Sequence, residues 1–502
     1  MRIVNIMNFV RYIDERMDDS IRIQFETTKK ELEMVNRFGF ENTFLLQYDA
    51  FSSEIYQKLF KENATEKTEI GIWYEIVEPL TTACGLPYRS DNGWKWDWHI
   101  IPGFSMAYTP REREMLADEA MRKFKKVFGY YPKTFASWLI DTHTINYLAE
   151  NYDISTFAIC KDQVSTDAYT LIGGYFNQGY YPSKNNIFTP AQTDEMRVNV
   201  PVFRLLGPCP IHNYEGNKYV SKEVSKNGAV YTLEVPNAIY TPELLDARFK
   251  PFLENEDIGF SYVQLGQENS FGPNSLHVLE QQFEKLKEYD DIKIMKMGDT
   301  GQTFKNYYPN KTPATSLVAL ENWDKEDIQS AYYDCENYSS NIMRFENRIF
   351  IRSLFLFDEK IEDKYLKNVC STFDAVYENL PVIDTLRYSK DEKINCGLMI
   401  DTNASRFTAT KAQDGILKIS WKDKSVLFSE EKITVFSDKL VFYVGSMPIR
   451  VVENDILYNY KGHNYALCIK NANVTMLNDG NVEIIPNDGV CELYPTLLRD
   501  EI

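Results

Sequence analysis

The 502-residue sequence is poor in histidine and lacks the motifs of several large enzyme classes. Its five histidines, at positions 99, 143, 212, 277 and 463, show neither HxxxH nor HExxH spacing, and no paired cysteine motif accompanies them. A catalytic zinc site normally takes three protein ligands, so we expect no metal. A Walker loop, a G-x-G-x-x-G loop and a serine nucleophile elbow are also missing, and we expect no other cofactor.

The sequence also lacks long apolar runs and basic tracts. No stretch reaches the roughly 18 apolar residues of a membrane-spanning helix, and Asn5 and Asn8 break the apolar N-terminal run, which does not read as a signal peptide. The formal net charge of −18 argues against a nucleic-acid surface. Eight scattered cysteines without a CxxC pair suit free thiols in a reducing compartment. These features predict a cytoplasmic protein that binds neither nucleic acids nor membranes.

What the sequence does contain, over its first 310 residues, is an alternation of short apolar strands and helical patterns, typical of an α/β fold with parallel strands. The predicted strands are 3–8, 43–47, 69–73, 134–137, 157–160, 202–205, 260–264 and 292–297, and the clearest helices are 21–37, 112–128 and 274–288. The loop-rich stretch 173–201 makes the spacing uneven. A barrel with loop insertions therefore fits better than a doubly wound sheet.

The pattern changes after residue 310. Segments 330–337 and 348–357 are predicted strands, and 359–379 is predicted to be a long amphipathic helix. Beyond residue 390, short β runs at 416–421, 425–428, 440–444 and 482–485 alternate with Asp-Gly turn signals. We predict a barrel domain over 1–310, a mixed helical and strand domain over 311–390, and an accessory β-sandwich over 391–502.

The segment Trp138-Leu-Ile-Asp-Thr-His143 places an acid just past a predicted strand. In a barrel of parallel strands, such positions face the active-site mouth. Asp141, beside a tryptophan able to stack on a sugar, then suggests a nucleophile, and Asp141 with His143 leaves a metal site open. The alternative is that Asp141 caps the helix that follows.

Three further acids, Glu75, Glu268 and Asp299, also follow predicted strands. Several acids at one mouth are what glycoside hydrolysis requires, because one carboxylate acts as nucleophile or base and another as acid. A separation of about 5–5.5 Å gives retention of configuration, and about 6.5–9.5 Å gives inversion. The aromatic runs 94–98 and 173–184 either provide stacking platforms for a sugar or pack against themselves.

At these residues the sequence resembles known carbohydrate enzymes. Pro132-Lys-Thr-Phe-Ala-Ser-Trp-Leu-Ile-Asp-Thr-His143 is similar to the nucleophile segments of glycoside hydrolase families 38 and 57, which places the nucleophile at Asp141. Gln264-Leu-Gly-Gln-Glu-Asn-Ser-Phe-Gly272 resembles the acid-bearing loop of family 57, which points to Glu268. The resemblance implies an incomplete (β/α)7 barrel, shared with polysaccharide deacetylases, followed by a helical segment and a β domain.

The sequence departs from these families at the first strand. Where family 38 carries a zinc-binding H-x-D and family 57 an H-Q-P, this chain has Asn8-Phe-Val-Arg11. The deacetylase motif H-[ST]-x-x-x-H is also missing, which argues against metal-dependent deacetylation. The residues and the resemblance together favour a metal-independent chemistry.

We therefore predict a retaining glycosidase acting on an oligosaccharide or glycoside, with Asp141 as nucleophile and Glu268 as general acid/base. The predicted substrate-binding residues are Glu75, Trp98, Trp138, His143, Gln267 and Asp299. The alternatives are a barrel that binds carbohydrate without catalysis and a metal-dependent carbohydrate enzyme. Nothing in the sequence indicates an oligomeric state.

Overall fold

The computed structural model describes residues 1–160, 162–166, 169–176, 178–205, 249–253, 260–321, 327–388, 396–411 and 414–498. In its N-terminal part the strands are β1 (Arg2–Val10), β2 (Asn42–Leu46), β3 (Thr68–Trp73), β4 (Thr134–Ala136), β5 (Thr156–Cys160), β6 (Gln163–Thr166), β7 (Tyr169–Leu171), β8 (Gly179–Tyr180), β9 (Pro182–Ser183), β10 (Asn186–Pro190), β11 (Val202–Leu205), β12 (Ser261–Leu265) and β13 (Ile292–Met295). The helices are α1 (Ser20–Phe38), α2 (Tyr48–Ser52), α3 (Glu54–Asn63), α4 (Glu78–Ala83), α5 (Ile100–Gly103), α6 (Pro110–Phe128), α7 (Thr142–Asn151), α8 (Leu276–Leu286) and α9 (Met297–Tyr307). The predicted strands and helices of this part are all present, with ends shifted by at most two residues.

The core of this domain is a parallel sheet in the order β12-β1-β2-β3-β4-β5-β11. β13 also pairs with β1 in parallel, and β8 runs antiparallel to β11 at the edge. The predicted α/β architecture with parallel strands is therefore confirmed. Because residues 206–248 lie outside the described part, the count of seven strand–helix units stays a prediction.

Alternate side chains of the strands share the inner face of the sheet. Glu69, the second residue of β3, accepts hydrogen bonds from Thr43 of β2 and Thr134 of β4. Two positions on, a Cβ at Gly71 would lie 2.7 Å from the Thr134 carbonyl oxygen, so glycine is required there. Side chains two positions apart lie on the same face of a strand. Trp73 and Glu75, the latter just past the strand, therefore lie on this face too.

The helix α9 lies across the amino-terminal ends of the strands. Its Gly298 amide donates to Glu69 at 2.9 Å, and its Thr300 hydroxyl accepts from Asn5 of β1 at 2.7 Å. A Cβ at Gly301 would lie 2.5 Å from the Ser155 carbonyl oxygen, just before β5. α9 therefore covers the end of the sheet opposite the carboxyl-terminal mouth.

The C-terminal part is a β-sandwich with one hydrophobic core. Its strands are β14 (Thr315–Ala319), β15 (Gln329–Asp334), β16 (Tyr338–Phe345), β17 (Arg348–Leu356), β18 (Ala375–Tyr377), β19 (Leu380–Asp384), β20 (Gly397–Asp401), β21 (Thr408–Lys411), β22 (Leu417–Trp421), β23 (Lys424–Phe428), β24 (Ile433–Phe436), β25 (Leu440–Tyr443), β26 (Ile449–Val452), β27 (Asp455–Tyr460), β28 (His463–Lys470), β29 (Ala472–Met476), β30 (Val482–Pro486) and β31 (Val490–Leu497), with a short helix α10 (Thr385–Tyr388). One sheet follows the order β14-β15-β16-β17-β20-β25-β30-β29, and the other β21-β22-β23-β24-β31-β28-β27-β26.

The predicted boundary at residue 390 does not separate two folding units. β17 pairs antiparallel with β20 across that boundary, with Phe350 opposite Met399. The buried core cluster runs from Ala314 to Leu493. We therefore correct the division into 311–390 and 391–502: both parts belong to one sandwich.

The predicted helix over 359–379 is wrong. Residues 358–374, here called the strap, contain turns and extended chain, and β18 follows them and pairs in parallel with β7. The strap packs on the barrel domain, where Tyr365 and Cys370 join its core. Of the apolar residues whose spacing predicted a helix, Tyr365 and Cys370 are buried in this contact, whereas Val369 and Phe373 are exposed.

Two other expectations concern cysteines and membrane helices. Five of the seven described cysteines are buried, as predicted, while Cys209 lies outside the described residues. Across the described ranges, none of the helices is both long and apolar enough to cross a bilayer.

Candidate active site

A cluster of buried charges lies at the carboxyl-terminal mouth of the parallel sheet. Arg11, just past β1, donates from Nε and Nη2 to the two carboxylate oxygens of Glu75, at 2.9 and 2.8 Å. Its Nη1 donates to Glu268 Oε2 at 2.6 Å. The side chains of Arg11 and Glu75 are 3% and 2% exposed, and that of Glu268 is 10% exposed. One guanidinium therefore bridges two carboxylates from different strands, and Glu268 is the more accessible of the two.

Further donors fix Glu75 in place. Gln47, just past β2, donates to its Oε2 at 2.7 Å, and the Trp96 indole donates to the same oxygen at 2.8 Å. Burial by itself would lower the pKa of the Arg11 guanidinium, but the charges of Glu268 and Glu75 outweigh that effect and raise its pKa. Arg11 is therefore a permanent cation in this cluster.

The chain after β12 is held tightly against β1, and this positions Glu268. Gly266 has φ +123°, and a Cβ there would lie 1.8 Å from the Met7 carbonyl oxygen. Asn269 accepts from the Arg11 amide at 3.0 Å and donates to the Arg11 carbonyl at 2.8 Å. A hydrogen bond from the Ser270 hydroxyl engages the second oxygen of Glu268.

Aromatic rings lie directly below and beside the cluster. Phe9 stacks on Trp73 with centroids 4.2 Å apart, and Trp138 meets both rings edge-on at 5.0 and 5.2 Å. Trp98 is 6.3 Å from Trp96, and both Trp98 and Trp138 are half-buried. Trp98 therefore lies beside Trp96, which donates to Glu75, and Trp138 lies beside Phe9 and Trp73.

A second buried acid lies close to this cluster. Asp49, in α2 after β2, is 7% exposed and accepts a hydrogen bond from the Ala50 amide at 2.7 Å. Burial, reinforced by the negative charge of Glu75, raises the pKa of Asp49 to about 7. A carboxyl of this kind holds a proton for part of the time at neutral pH.

Asp141 occupies a different environment. It caps α7, accepting from the Thr144 amide at 3.0 Å, and Arg113 donates to it at 3.0 Å. The hydroxyls of Ser105 and Thr144 donate to its other oxygen. Burial would raise the pKa of Asp141, but Arg113 and the two hydroxyls outweigh it and hold the pKa below its ordinary value.

The helix-cap interpretation of Asp141 is therefore confirmed. Its side chain is 0% exposed, and a nucleophile needs an oxygen turned toward the substrate. The prediction of a nucleophile at Asp141 is not supported by this geometry. Arg113 also donates to the carbonyls of Tyr365 and Asn368 in the strap, so this pair joins the barrel domain to the sandwich.

Three other predicted site residues point elsewhere. His143 meets Glu114 of α6 at 3.2 Å, and Gln267 donates to Glu31 of α1 at 2.8 Å. Both contacts lie in the helical layer outside the sheet. Asp299 is exposed in the first turn of α9, at the opposite end of the strands, so its predicted place at the mouth is wrong.

The aromatic loop 173–184 packs against its own and neighbouring rings. Tyr175 stacks on Tyr180 at 5.7 Å, and Phe176 stacks on Tyr332 of the sandwich at 3.9 Å. All four rings are buried. This loop therefore belongs to the core and not to a sugar-binding surface.

Several buried polar atoms at the mouth have no hydrogen-bond partner among the described residues. They are Gln47 Oε1, Trp73 Nε1 and Ser137 Oγ, which follow or end β2, β3 and β4. Buried polar groups in proteins are almost always paired. These three atoms are thus available to a polar ligand at the same mouth.

The described residues do not suit a resident metal. They contain no group of three or more histidine, cysteine and acidic side chains placed to hold an ion. Between Glu75 and Glu268 the positive charge is supplied by Arg11, which stands at the first-strand position where the resembled family 38 carries its H-x-D motif. Asp141 and His143 have separate partners and do not form a joint site.

Comparisons with known proteins were made at the level of sequence and of structure. Neither a family model nor a curated protein matches the sequence. Among solved structures, a candidate glycoside hydrolase/deacetylase from Parabacteroides distasonis is similar over 78% of this chain and 93% of its own, with 13% identity and a TM-score of 0.56.

Two weaker structural similarities carry no argument of their own. A candidate polysaccharide deacetylase from Mycobacterium smegmatis matches 62% of this chain and 92% of its own at 14% identity, with a TM-score of 0.38. A 4-alpha-glucanotransferase from Thermococcus litoralis matches 99% and 98% at 8% identity, with a TM-score of 0.32. The first structure shows that the chain shares the α/β barrel-type fold of a glycoside hydrolase/deacetylase-like protein, which confirms the predicted distant resemblance at the level of fold.

Proposed function

We propose that this protein is a carbohydrate-active enzyme that hydrolyses a glycosidic bond at the carboxyl-terminal mouth of its parallel sheet. The observation that carries the proposal is the pair of carboxylates, Glu75 and Glu268, held on the Arg11 guanidinium. Barrel enzymes place their catalytic groups at this end of the strands. The shared fold with a candidate glycoside hydrolase/deacetylase agrees with this reaction class.

The charge of the cluster suits the reaction. Two carboxylates and one guanidinium leave a single net negative charge in a buried site. Glycoside hydrolysis passes through an oxocarbenium-like transition state, in which positive charge develops on the sugar. A fixed negative charge in a poorly hydrated site stabilises that state more than the neutral ground state.

Glu268 is the reacting carboxylate in this proposal, and Glu75 is its partner across Arg11. Glu268 is the more exposed of the two. A carboxylate that accepts a charge-assisted hydrogen bond suits the role of nucleophile or base better than that of acid. We propose retention, with Glu268 forming the glycosyl-enzyme.

Asp49 supplies the proton to the leaving group. General acids in such enzymes are carboxyl groups whose pKa is raised by an apolar site and nearby negative charge. Asp49 has both features, since burial and Glu75 raise its pKa to about 7. The half-buried Trp98 and Trp138 are the aromatic residues proposed to contact the sugar.

A barrel that binds carbohydrate without catalysis is the second candidate. The observation in its favour is that both oxygens of Glu75 are fully engaged, by Arg11, Gln47 and Trp96. In that case sugars bind at the mouth, but no glycoside is cleaved by the wild-type protein.

Activity on a panel of aryl glycosides separates the two candidates. We expect turnover by the wild-type protein and a loss of more than about 10⁴-fold in Glu268→Gln, because no glycosyl-enzyme can form without its carboxylate; loss of a covalent nucleophile can cost about 10⁶-fold. Glu280 of α8 is an exposed glutamate that pairs with Arg37. Glu280→Gln is the matched control and should keep full activity. Equal turnover in wild type and Glu268→Gln would refute the catalytic assignment.

A further inference from the structure

Two arginines approach the same tryptophan at the mouth. The Arg11 guanidinium carbon lies 4.3 Å from the Trp96 ring centroid, and that of Arg16 lies 4.7 Å from it. Arg16 also lies 5.4 Å from the Trp98 centroid. Arg11 holds the two carboxylates, and both arginines contact the Trp96 ring. Arg16 therefore lies beside the proposed reacting centre.

Arg16 differs from Arg11 in being open to solvent. Its side chain is 40% exposed, while that of its partner Asp14 is fully buried. Arg16 Nε donates to Asp14 Oδ1 at 2.8 Å, and Nη2 donates to Oδ2. Nη1 has no hydrogen-bond partner among the described residues. The guanidinium is therefore fixed along one edge and presents the other outward.

A histidine also contacts Trp98. The His99 ring stacks on Trp98 at 4.8 Å, and its Nδ1 lies 2.7 Å from the buried carboxylate of Asp97. The His99 side chain is 36% exposed. Trp98 thus contacts an arginine and a histidine, each paired with its own buried aspartate.

We propose that the sugar bound at this mouth carries an anionic group, a uronate carboxylate or a phosphate, which Arg16 binds. This inference rests on the proposed function. A guanidinium held along one edge is preorganised for a planar carboxylate or a phosphate, which it can bind through two parallel N–H donors. In a chain with a net charge of −18, a fixed and exposed arginine beside the reacting centre selects for negative charge.

The alternative is that Arg16 and Asp14 form only a structural pair. In that case the Asp14 carboxylate neutralises the charge of Arg16, and the protein would not distinguish acidic from neutral sugars. The two possibilities differ in substrate preference, which folding alone does not change. The test therefore compares a ratio of activities within one protein.

We would measure kcat/KM for 4-nitrophenyl glycosides of several hexoses, each in matched neutral, 6-carboxylate and 6-phosphate forms. The expected result is a preference for an acidic form, reduced roughly 10- to 100-fold in Arg16→Gln, as for the loss of a charge-assisted hydrogen bond. Arg22→Gln is the matched control, because Arg22 pairs with Asp19 on the surface of α1 and is 58% exposed. The acidic form that is preferred identifies carboxylate or phosphate as the anion.

Each outcome decides the inference. A preference for neutral glycosides, or one that Arg16→Gln leaves unchanged, overturns the anionic substrate while hydrolysis stands. If no form is hydrolysed, the proposed function fails, and calorimetry with the free 6-carboxylate and 6-phosphate sugars decides the inference. Binding that is lost in Arg16→Gln and kept in Arg22→Gln then supports it, and no binding overturns it.

Discussion

Single residues decide the chemistry at the mouth, and Arg11 has the largest energetic role among them. Glu75 and Glu268 are buried acids that depend on its charge. Breaking a buried ion pair on one side leaves the other charge uncompensated, at a cost of about 3–5 kcal/mol. We expect Arg11→Gln to lower the free energy of unfolding by that amount, measured by urea denaturation at pH 7.

A double variant tests this explanation. Adding Glu75→Gln to Arg11→Gln removes one of the uncompensated charges and should recover part of the lost stability. Arg22→Gln on the surface should change stability by less than about 0.5 kcal/mol. Simple additivity of the two single effects would show that Arg11 does not stabilise the protein through Glu75.

Asp49 gives the site a pH dependence with a definite sign. A general acid acts in its protonated form, so a group whose pKa is raised to about 7 loses function as pH rises through 7. We expect kcat for a glycoside with a poor leaving group to fall above pH 7. In Asp49→Asn that fall should disappear together with most of the activity.

The leaving group provides the control for Asp49. Activated aryl glycosides need little protonation, so Asp49→Asn should affect them much less than unactivated ones. An equal loss with both substrate types would assign the proton transfer to another group.

Sequence could identify some of these residues and not others. Glu75, Glu268 and Trp138 are predicted site residues because they follow strands, and Trp98 because it lies in an aromatic run; their roles stay predictions. A polar residue just past a strand reaches the mouth when it is in phase with the inner face. Arg11 and Gln47 could be predicted in this way, since each lies two positions beyond a buried inner-face residue of its strand. A helix cap and a strand-end nucleophile have the same local sequence, and what favours the cap at Asp141 is its complete burial against Arg113 of α6 and Ser105.

At the scale of elements, α7 and the strap are joined through Asp141 and Arg113. Arg113 is 0% exposed and donates to Asp141 and to strap carbonyls. Asp141→Ala removes the helix cap and leaves the buried arginine without its carboxylate, so we expect a loss of about 3–5 kcal/mol in unfolding free energy.

Azide distinguishes a structural Asp141 from a nucleophile. A small anion can replace a missing nucleophile, but it cannot replace a helix cap and a buried ion-pair partner. We expect azide to leave the activity of Asp141→Ala unchanged, as judged by initial rates at a temperature where the variant remains folded. A variant of full stability whose turnover azide restores would return the nucleophile role to Asp141.

Elements were predicted well where packing follows a simple period. The strands and helices of residues 1–310 were located because their apolar positions recur at two or at three to four residues. The strap was not, since its buried side chains, such as Tyr365, are set by a contact with the barrel domain that is distant in sequence. The prediction of Asp299 at the mouth is wrong because α9 lies across the amino-terminal ends of the strands.

On the scale of the whole molecule, the sandwich is one cooperative unit that includes residues before and after 390. Deleting residues 391–502 would remove β20, the partner of β17, and most of the second sheet. Unpaired hydrophobic strand edges promote aggregation. We expect the truncated chain to be insoluble, measured by its partition after expression and centrifugation. A soluble, fully active fragment would mean that the sandwich core does not depend on those strands.

The location of bound sugar tests the proposed active site most directly. We would determine a crystal structure of Glu268→Gln with an oligosaccharide or aryl glycoside that the wild-type protein hydrolyses. The expected result places the anomeric carbon of one sugar beside residue 268, with its ring against Trp98 or Trp138. Sugar bound only elsewhere, for example beside α9 at the opposite end of the strands, would contradict an active site built on Arg11, Glu75 and Glu268.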